Sequence, residues 1–531
     1  MLVEMYEKLK NWPLHPFLLA LYPILFLLAN NASEVRPYAS IRALVLAILF
    51  TLILFVLFRL IKFGREAASL MTAMAVVVLL SYGHLYHGLR DLIPGGSQII
   101  RHRFLLPAVI ILFIFTLWII RRNQNKLSSI TQYMNVISLI LIVTPIYQIL
   151  QSEVRYQKEF NARTESDSSS CNLSVPAGKA VPDIYLIILD AYTRDDILLG
   201  TYNFDNEPFL DELRELGFYI AEMSQSNYAS TIPSLTSSLN MDYLIDHSRE
   251  RLVPYVGNNQ DGIRNFSIVN SGVRKELECL GYIVVSFDSG LPYTSWHNAD
   301  YYFSPHKIGW ERYYLSGTNE FESMLINSSI GLLIIDTAVL RAENLQRLIN
   351  NPYSEHSERI LFALEIDGTG VFNLPSPKFV FIHVVSPHFP YSFSVRDEFV
   401  DQPAPFTLLE NESNTLSENK RGYRDQVEFI NVKVLKMVRD IIDASVIPPI
   451  IIIQGDHGPK NSIRDRMAIL NAYHLPDGGD QRLYESITPV NTFRIIFNFY
   501  FGGSFALLED QSFFSDHDAI YDFIEVPIYP D

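Results

Sequence analysis

Residues 448–458 read Pro-Pro-Ile-Ile-Ile-Ile-Gln-Gly-Asp-His-Gly. A run of isoleucines is typical of a strand that is buried on both faces. The run ends in Asp456 and His457, so a carboxylate and an imidazole stand side by side on a tight turn. In open α/β sheets, ligands bind at the carboxyl ends of the strands. The stretch predicts such a strand followed by half of a divalent-metal site, although a plain turn containing Asp and His also fits these residues alone.

The chain has 531 residues, enough for more than one domain, and its composition divides into two unlike parts. Residues 1–150 contain 13 basic and 5 acidic residues, a net charge of +8. Because the whole chain carries −16, residues 151–531 carry −24. That acidity argues against nucleic acid as a partner and against adhesion of this part to an anionic bilayer by charge.

Residues 1–150 are predicted to form a domain of five transmembrane helices, because a helix needs roughly 20 apolar residues to cross the hydrocarbon core. A cleavable signal peptide does not explain five segments, and a buried globular helical bundle is the alternative. The five apolar stretches lie at about 13–30, 41–61, 67–88, 104–120 and 128–150.

The charged loops between these stretches predict the orientation. The N-terminal tail and the second and fourth loops carry 8 Lys and Arg, and the first and third loops carry 5. This bias puts the N-terminus in the cytoplasm. Five membrane spans then place the residues from 151 onward outside the cytoplasm. We therefore expect a multi-pass protein of the inner or plasma membrane, with a linker over 151–180 and an extracytoplasmic catalytic domain over 181–531.

Residues 182–193 repeat the pattern of a buried strand that ends in an acid, here Asp190. A helical pattern follows over residues 207–217. Strands that alternate with helices predict an α/β domain with a mostly parallel sheet and helices on both faces. Further strand candidates are Tyr282–Phe287, Phe379–Val385 and Ile495–Tyr500.

Between the two acidic strand ends lies a hydroxyl-rich stretch, residues 226–239, in which Pro233 suits a first helical turn. Ser230 or Thr231 would then be a simple helix cap. A helix N-terminus also offers free N–H groups to an anion, so a hydroxyl there is placed to attack a bound phosphorus. A divalent ion would lower the pKa of that hydroxyl.

Residues 379–391 add two histidines near a strand end. His388 follows the strand in a Pro-flanked loop, where we expect it to reach the site. His383 lies within the strand and is better explained as a core histidine.

The order of these motifs over residues 181–505 resembles the sulfatase-type catalytic domain of the alkaline phosphatase superfamily. The five-helix anchor before it resembles the membrane-anchored branch of lipoteichoic acid synthases and phosphoethanolamine transferases. The resemblance rests on four features in this order along the chain: an acid after a strand, a hydroxyl at the start of a helix, a histidine after a strand, and an Asp-His-Gly turn after a strand. In this chain these features are Asp190, Thr231, His388 and Asp456–Gly458.

The chain also departs from that pattern. Arylsulfatases convert a Cys or Ser to formylglycine within C/S-x-P-x-R, but this chain has Thr231 there and Leu235 in place of the Arg. The second Asp expected after the first strand is Ala191. The two-zinc phosphatases of the family need a further Asp-x-x-x-His and a late histidine, for which His517 is a loose candidate. We therefore expect one metal ion rather than two.

The resemblance implies a membrane-anchored phosphotransferase or phosphodiesterase that acts on a phosphodiester such as a phospholipid head group. Asp190, Thr231, Asp456 and His457 would hold one divalent ion (Mn, Mg, Ca or Zn), Thr231 would be the nucleophile, and His388 would assist catalysis. A sulfatase that works without formylglycine and a membrane scaffold with a vestigial domain are the alternatives. The two cysteines, Cys171 and Cys279, are compatible with one disulfide or with two structural thiols.

Overall fold

The structure is a computed structural model in which residues 12–32, 35–93, 100–123, 127–161, 173–176, 181–244, 267–306, 317–336, 351–394, 400, 406–408, 415–516 and 522–528 are described. It divides into two compact units. The first contains Met1–Tyr156, Lys307–Ser354 and Pro403–Thr407, and the second contains Gln157–His306, Glu355–Gln402 and Leu408–Asp531.

The first unit begins with five helices: α1 His15–Asn30, α2 Ile41–Leu60, α3 Arg65–Leu92, α4 His102–Arg122 and α5 Leu127–Asn161. All five predicted apolar segments are therefore helical. Among the described residues, four of these helices are long and apolar enough to cross a membrane, and α1 is an apolar helix of 16 residues. Helix α5 continues to Asn161, into the stretch that was predicted to be a linker.

The remaining elements follow in chain order. They are β1 Ile184–Leu189, α6 Asp195–Tyr202, α7 Glu207–Glu215, β2 Tyr219–Ile220, α8 Thr231–Asn240, α9 Gly272–Cys279, β3 Ile283–Phe287, β4 Tyr301–Phe303, α10 Glu320–Ser328, α11 Gly331–Asp336, α12 Asn351–Leu364, β5 Lys378–Val384, α13 Leu416–Ala444, β6 Ile450–Gly455, α14 Ile463–Met467, β7 Asn471–His474, α15 Pro489–Tyr500, β8 Ser512–Phe514 and β9 Ile524–Val526.

The second unit is built on a seven-stranded sheet of order β2-β7-β6-β1-β5-β3-β4. Strands β6, β1, β5, β3 and β4 pair in parallel, and β7 runs antiparallel to β6 and β2. The predicted α/β class with a mostly parallel sheet is confirmed. Strands β1 and β6 run side by side in register, Leu189 opposite Gly455, so the residues that follow them emerge at one sheet edge.

Both faces of the sheet are covered, which explains why its central strands are apolar throughout. Alternate residues of β1 enter two separate cores: Tyr185, Ile187 and Leu189 on one face, and Ile184 and its partners on the other. Residues of α6, α7, α12 and α13 line the first core, and residues of α8, α9 and α15 line the second. This three-layer packing fixes the carboxyl ends of the strands rigidly.

One insertion between β4 and α12 belongs to the first unit. Within residues 317–336, Glu322 of α10 pairs with Arg42, and the Ile330 N–H donates to the Leu79 carbonyl at 2.7 Å. The predicted boundary at residue 181 did not separate this insertion, because its residues have the composition of a soluble domain. Its packing against α2 and α3 depends on tertiary contacts that composition does not reveal.

The predicted strand Ile495–Tyr500 is wrong, since these residues form the second half of α15. The isoleucine and phenylalanine content suggested a strand. Pro489 at the first helical turn and buried residues at Phe493, Phe497 and Tyr500, spaced as on one helix face, instead favour a helix.

Candidate active site

Two neighbouring strands deliver the acidic and imidazole groups of the candidate site. Asp190 follows β1, and Asp456 and His457 follow β6. One ligand atom of each of these three buried residues lies within 4.8 Å of the others. The sheet register therefore creates a cluster from residues that are more than 260 positions apart in the sequence.

The atoms of this cluster are arranged as a cation site requires. Asp456 Oδ1 accepts hydrogen bonds from the N–H groups of Ala191 and His457, at 3.1 and 3.0 Å. Within the described part of the chain, Asp456 Oδ2 and Asp190 Oδ1 are buried and accept no hydrogen bond. Buried polar atoms without partners are costly, and a bound cation would satisfy both.

The imidazole of His457 is oriented toward the same point. Its Nδ1 lies 3.0 Å from the Gly458 carbonyl, so it donates there and leaves Nε2 as the acceptor. Nε2 is 3.5 Å from Asp456 Oδ2 and 3.7 Å from Asp190 Oδ1. The donor set of two carboxylates and one neutral imidazole fits a divalent metal ion.

The turn after β1 is shaped to support this arrangement. Ala191 has φ of 64°, a left-handed conformation that a residue with a side chain adopts at a cost of roughly 1–2 kcal/mol. This conformation accompanies the hydrogen bond from its N–H to Asp456. The Tyr423 hydroxyl donates to the Ala191 carbonyl at 2.7 Å and accepts from the Thr193 N–H, holding the turn from α13.

Thr231 is the first residue of α8, and its Oγ1 lies 3.2 Å from His457 Nε2. Ser230 occupies the N-cap position, but its side chain makes no capping hydrogen bond, so neither residue is the simple cap that the sequence allowed. Thr231 is partly exposed, in contrast to the three buried cluster residues. Its hydroxyl therefore faces both the cluster and the solvent.

The helix that begins with Thr231 is tied directly to the strand end. The hydroxyls of Ser226 and Ser234 both donate to the Asp456 carbonyl, at 2.5 and 2.7 Å. These bonds fix the start of α8 against Asp456 and occupy both hydroxyls. The Thr231 hydroxyl instead approaches a side chain of the cluster, the imidazole of His457.

His388 follows β5, the other neighbour of β1, and its N–H donates to the Asp190 carbonyl at 3.0 Å. Its Nδ1 lies 2.7 Å from the Phe389 carbonyl, which leaves Nε2 available. The rings of His388 and His457 are 6.3 Å apart between centroids. The partly exposed His388 thus lies beside the cluster without belonging to it.

His383 is buried within β5 and shares a hydrogen bond of 2.9 Å with the Thr294 hydroxyl through Nδ1, as a core histidine would. Its Nε2 also lies 3.4 Å from Asp190 Oδ2, a contact that the sequence did not indicate. The contact arises because β1 and β5 are neighbours in the sheet and Asp190 directly follows β1, which the sequence alone does not reveal.

Burial and neighbouring charges shift the pKa values of the cluster residues in opposite directions. Burial raises the pKa of the Asp190 carboxyl, but nearby His388, His383 and His457 outweigh it and leave that pKa lowered. Burial and the Asp190 charge raise the pKa of Asp456, and burial with the charge of Arg466 lowers the pKa of His457 well below its usual value. Opposed shifts of this kind in neighbouring groups are common at functional sites.

Arg466 connects the two loops of the site, and sequence reasoning gave it no role. Its Nη1 donates to the Gly458 carbonyl at 2.9 Å and its Nε to the Ala229 carbonyl at 2.6 Å. The guanidinium therefore joins the turn that carries His457 to the segment that leads into Thr231. The late histidine candidate, His517, lies outside the described residues.

The comparisons with known proteins give matches among solved structures, whereas no family model and no curated protein matches the chain. The integral membrane lipooligosaccharide phosphoethanolamine transferase A of Neisseria meningitidis is 13% identical, covers 92% of this chain and 96% of its own, and has a TM-score of 0.40. The C-terminal periplasmic domain of EptC from Escherichia coli is 12% identical, with coverages of 67% and 95% and a TM-score of 0.40. The phosphonate monoester hydrolase of Agrobacterium radiobacter is 13% identical, with coverages of 63% and 80% and a TM-score of 0.37.

The match to the membrane phosphoethanolamine transferase extends over nearly the whole chain.

Proposed function

We propose that this protein is a membrane-anchored, metal-dependent phosphotransferase or phosphodiesterase that uses Thr231 as its nucleophile. The observation that carries the proposal is the 3.2 Å approach of Thr231 Oγ1 to His457 Nε2, beside two buried carboxylate oxygens without hydrogen-bond partners among the described residues. If Thr231 were only a helix cap, or part of an ordinary buried serine cluster, the two carboxylate oxygens without partners beside it would have no explanation.

Asp190, Asp456 and His457 would hold one divalent ion, with Thr231 as the fourth protein group. When bound, the ion supplies positive charge that lowers the pKa of the Thr231 hydroxyl and offsets the charge of a phosphate. Mn, Mg, Ca and Zn are all compatible with carboxylate, imidazole and hydroxyl donors.

The chemistry on the protein proceeds in two displacements. Thr231 loses its hydroxyl proton to solvent, and Oγ1 attacks the phosphorus of a phosphodiester. The Oγ1–P bond forms as the bond from phosphorus to the leaving alcohol breaks. An acceptor hydroxyl, or water, then loses its proton to solvent and attacks the same phosphorus. The Oγ1–P bond breaks as the new O–P bond forms, and Oγ1 takes up a proton from solvent, which returns Thr231 to its starting state.

The remaining groups assist without forming bonds to the substrate. The N–H groups at the start of α8 are suited to the phosphate oxygens, because a helix N-terminus offers unpaired donors to an anion. His388 Nε2 gives a proton to the departing alkoxide, or stabilises the equatorial oxygens. Its partial exposure allows it to be reprotonated from solvent.

The donor that we propose is the head group of a membrane phospholipid, and the site works at the extracytoplasmic face of an inner or plasma membrane. The support is architectural, since one chain contains four membrane-capable helices together with the site. The basic bias of the second and fourth loops supports the orientation.

Hydrolysis of bis(p-nitrophenyl) phosphate by the purified full-length protein tests the proposal. Thr231→Ala should abolish turnover, Thr231→Ser should retain part of it, and the neighbouring Ser230→Ala should stay close to wild type. Normal turnover in Thr231→Ala would contradict the covalent mechanism. The same variants assayed on p-nitrophenyl sulfate distinguish phosphate esters from sulfate esters, the alternative substrate.

A further inference from the structure

The first unit contains a cavity of about 530 Å³ between α1, α3, α4 and α5. This volume is in the range of small-molecule sites in proteins. Its walls are almost entirely apolar and include Leu19, Val77, Ile120, Leu127 and Met134. The cavity is separate from the candidate active site, which belongs to the other unit.

The polar side chains of the wall donate hydrogen bonds within their own helix. The Thr116 hydroxyl donates to the Leu112 carbonyl and the Asn123 amide to the Ile119 carbonyl, both at 2.9 Å. A cavity whose walls are almost entirely apolar accepts hydrocarbon rather than ordered water. The ligand chemistry that fits is therefore an alkyl chain.

The cavity lies at one end of the helical unit. Its wall uses the first residues of α5 and the last residues of α4, together with the first half of α3. Insertion residues 317–336 contact the start of α2 and the second half of α3, which is the opposite end. The loop charges assign the cavity end to the cytoplasm.

Basic side chains surround this end. Arg121 and Arg122 are exposed and follow directly after the wall residue Ile120. The Arg121 guanidinium carbon lies 5.7 Å from the centre of the Phe63 ring, so the α2–α3 loop, which carries Lys62, is beside it. A lipid phosphate at this level would meet positive charge.

We propose that this cavity binds one acyl chain of an anionic phospholipid of the cytoplasmic leaflet, whose phosphate is held by Arg121 and Arg122. Lipids around the helical bundle supply the acyl chain, and Arg121 and Arg122 select an anionic head group. The site goes beyond the proposed phosphotransfer reaction, because it lies at the end of the bundle opposite the insertion and uses no catalytic group.

Photolabelling of the full-length protein tests this site. The protein is placed in phosphatidylcholine vesicles that contain phosphatidylglycerol with a diazirine on its acyl chain, and adducts are mapped by mass spectrometry. We expect adducts to concentrate on the cavity walls of α3, α4 and α5. Val77→Trp, which fills the cavity, should reduce them severalfold, and Val136→Trp, on the exposed surface of α5 outside the cavity, should not.

A second variant, Arg121→Gln/Arg122→Gln, leaves the cavity intact and removes the rim charge. Each basic residue near an anionic surface contributes about 1 kcal/mol, so labelling at limiting lipid should fall by about 30-fold. Gel filtration and a melting curve check that each variant is folded.

Adducts spread evenly over α2 and α4, equal labelling by the phosphatidylcholine analogue, or wild-type labelling in folded Val77→Trp would each overturn the proposal. None of these results depends on turnover at Thr231.

Discussion

At the scale of single residues, the candidate site is a set of buried polar atoms that the protein leaves unsatisfied. Asp190 Oδ1 and Asp456 Oδ2 lack hydrogen-bond partners among the described residues. Two like charges in one buried place are unfavourable unless a cation lies between them. The residue chemistry therefore points to a metal.

Removing one acidic ligand of the cluster should lower the metal content of the protein. Asp456→Asn keeps the shape of the side chain and the hydrogen bonds to its Oδ1 position, but it removes one charged ligand. We expect bound metal, measured by elemental analysis of purified protein, to fall sharply with little change in thermal stability. Asp196→Asn, which changes an acid paired with Arg194 and Arg464 away from the cluster, is the control. Full metal occupancy in both Asp456→Asn and His457→Ala would mean that the ligands are misassigned.

His356 predicts how stability depends on pH. Burial, followed by the nearby charge of His388, lowers the pKa of His356 to about 3 in the folded protein. The unfolded chain takes up this proton near pH 6.5, so the unfolded state binds more protons between that pH and about 3. The free energy of unfolding should therefore decrease as the pH falls through this window, by up to about 1.4 kcal/mol per pH unit from this group.

Denaturant titrations of wild type and His356→Gln, both with a chelator present, measure that contribution. The variant should show a shallower loss of stability between pH 6 and pH 4. Parallel pH curves for the two proteins would show that His356 is not held neutral by the fold.

At the scale of elements, the site depends on the start of α8 being fixed to the end of β6. The serine bonds to the Asp456 carbonyl make one connection, and Arg466 makes another by joining Gly458 to Ala229. These contacts hold the hydroxyl and the imidazole of the candidate site at a constant separation. A small shift between reacting groups is enough to cost large factors in rate.

Arg466→Gln should therefore lower turnover by about 10- to 100-fold, the range typical for residues that orient metal ligands. Both kcat and metal affinity should change, while the fold is retained. Arg464→Gln, two residues away and about half exposed, is a matched control that should behave as wild type. Unchanged kcat and metal affinity in Arg466→Gln would show that the two loops are held without it.

The elements that sequence reasoning predicted are those whose pattern is local. The apolar runs of β1 and β6 and the acids that follow them are visible in the sequence, because a strand buried on both faces has a single composition. The position of α15 was mistaken for a strand because its large apolar residues are typical of both structures. The contacts of Arg466 and of His383 with the site depend on which strands become neighbours, which is a property of the whole sheet.

At the scale of the whole molecule, the chain combines a helical unit of net positive sequence with an acidic α/β unit. The insertion at 317–336 belongs to the helical unit, although in the sequence it lies between β4 and α12. It contacts Arg42 at the start of α2 and Leu79 in α3. The orientation of the chain in the membrane follows from the loop charges alone and stays a prediction.

A fusion experiment tests that orientation. A reporter that is active only in the cytoplasm, placed after Asp531, should be silent, and one that requires export should be active. Cys279 is disulfide-bonded, and Cys171 lies outside the described residues. A strong cytoplasmic signal would remove both the orientation and the extracytoplasmic donor.

If Thr231 becomes covalently attached to phosphorus during turnover, mass spectrometry of the intact and digested protein will detect the adduct. Full-length protein is incubated with total membrane lipids and divalent metal, quenched and digested. We expect a phosphorus-containing adduct on Thr231 that is absent from Thr231→Ala and retained in Ser230→Ala. Turnover of a phosphodiester with no adduct on Thr231, or with the adduct on another residue, would contradict it.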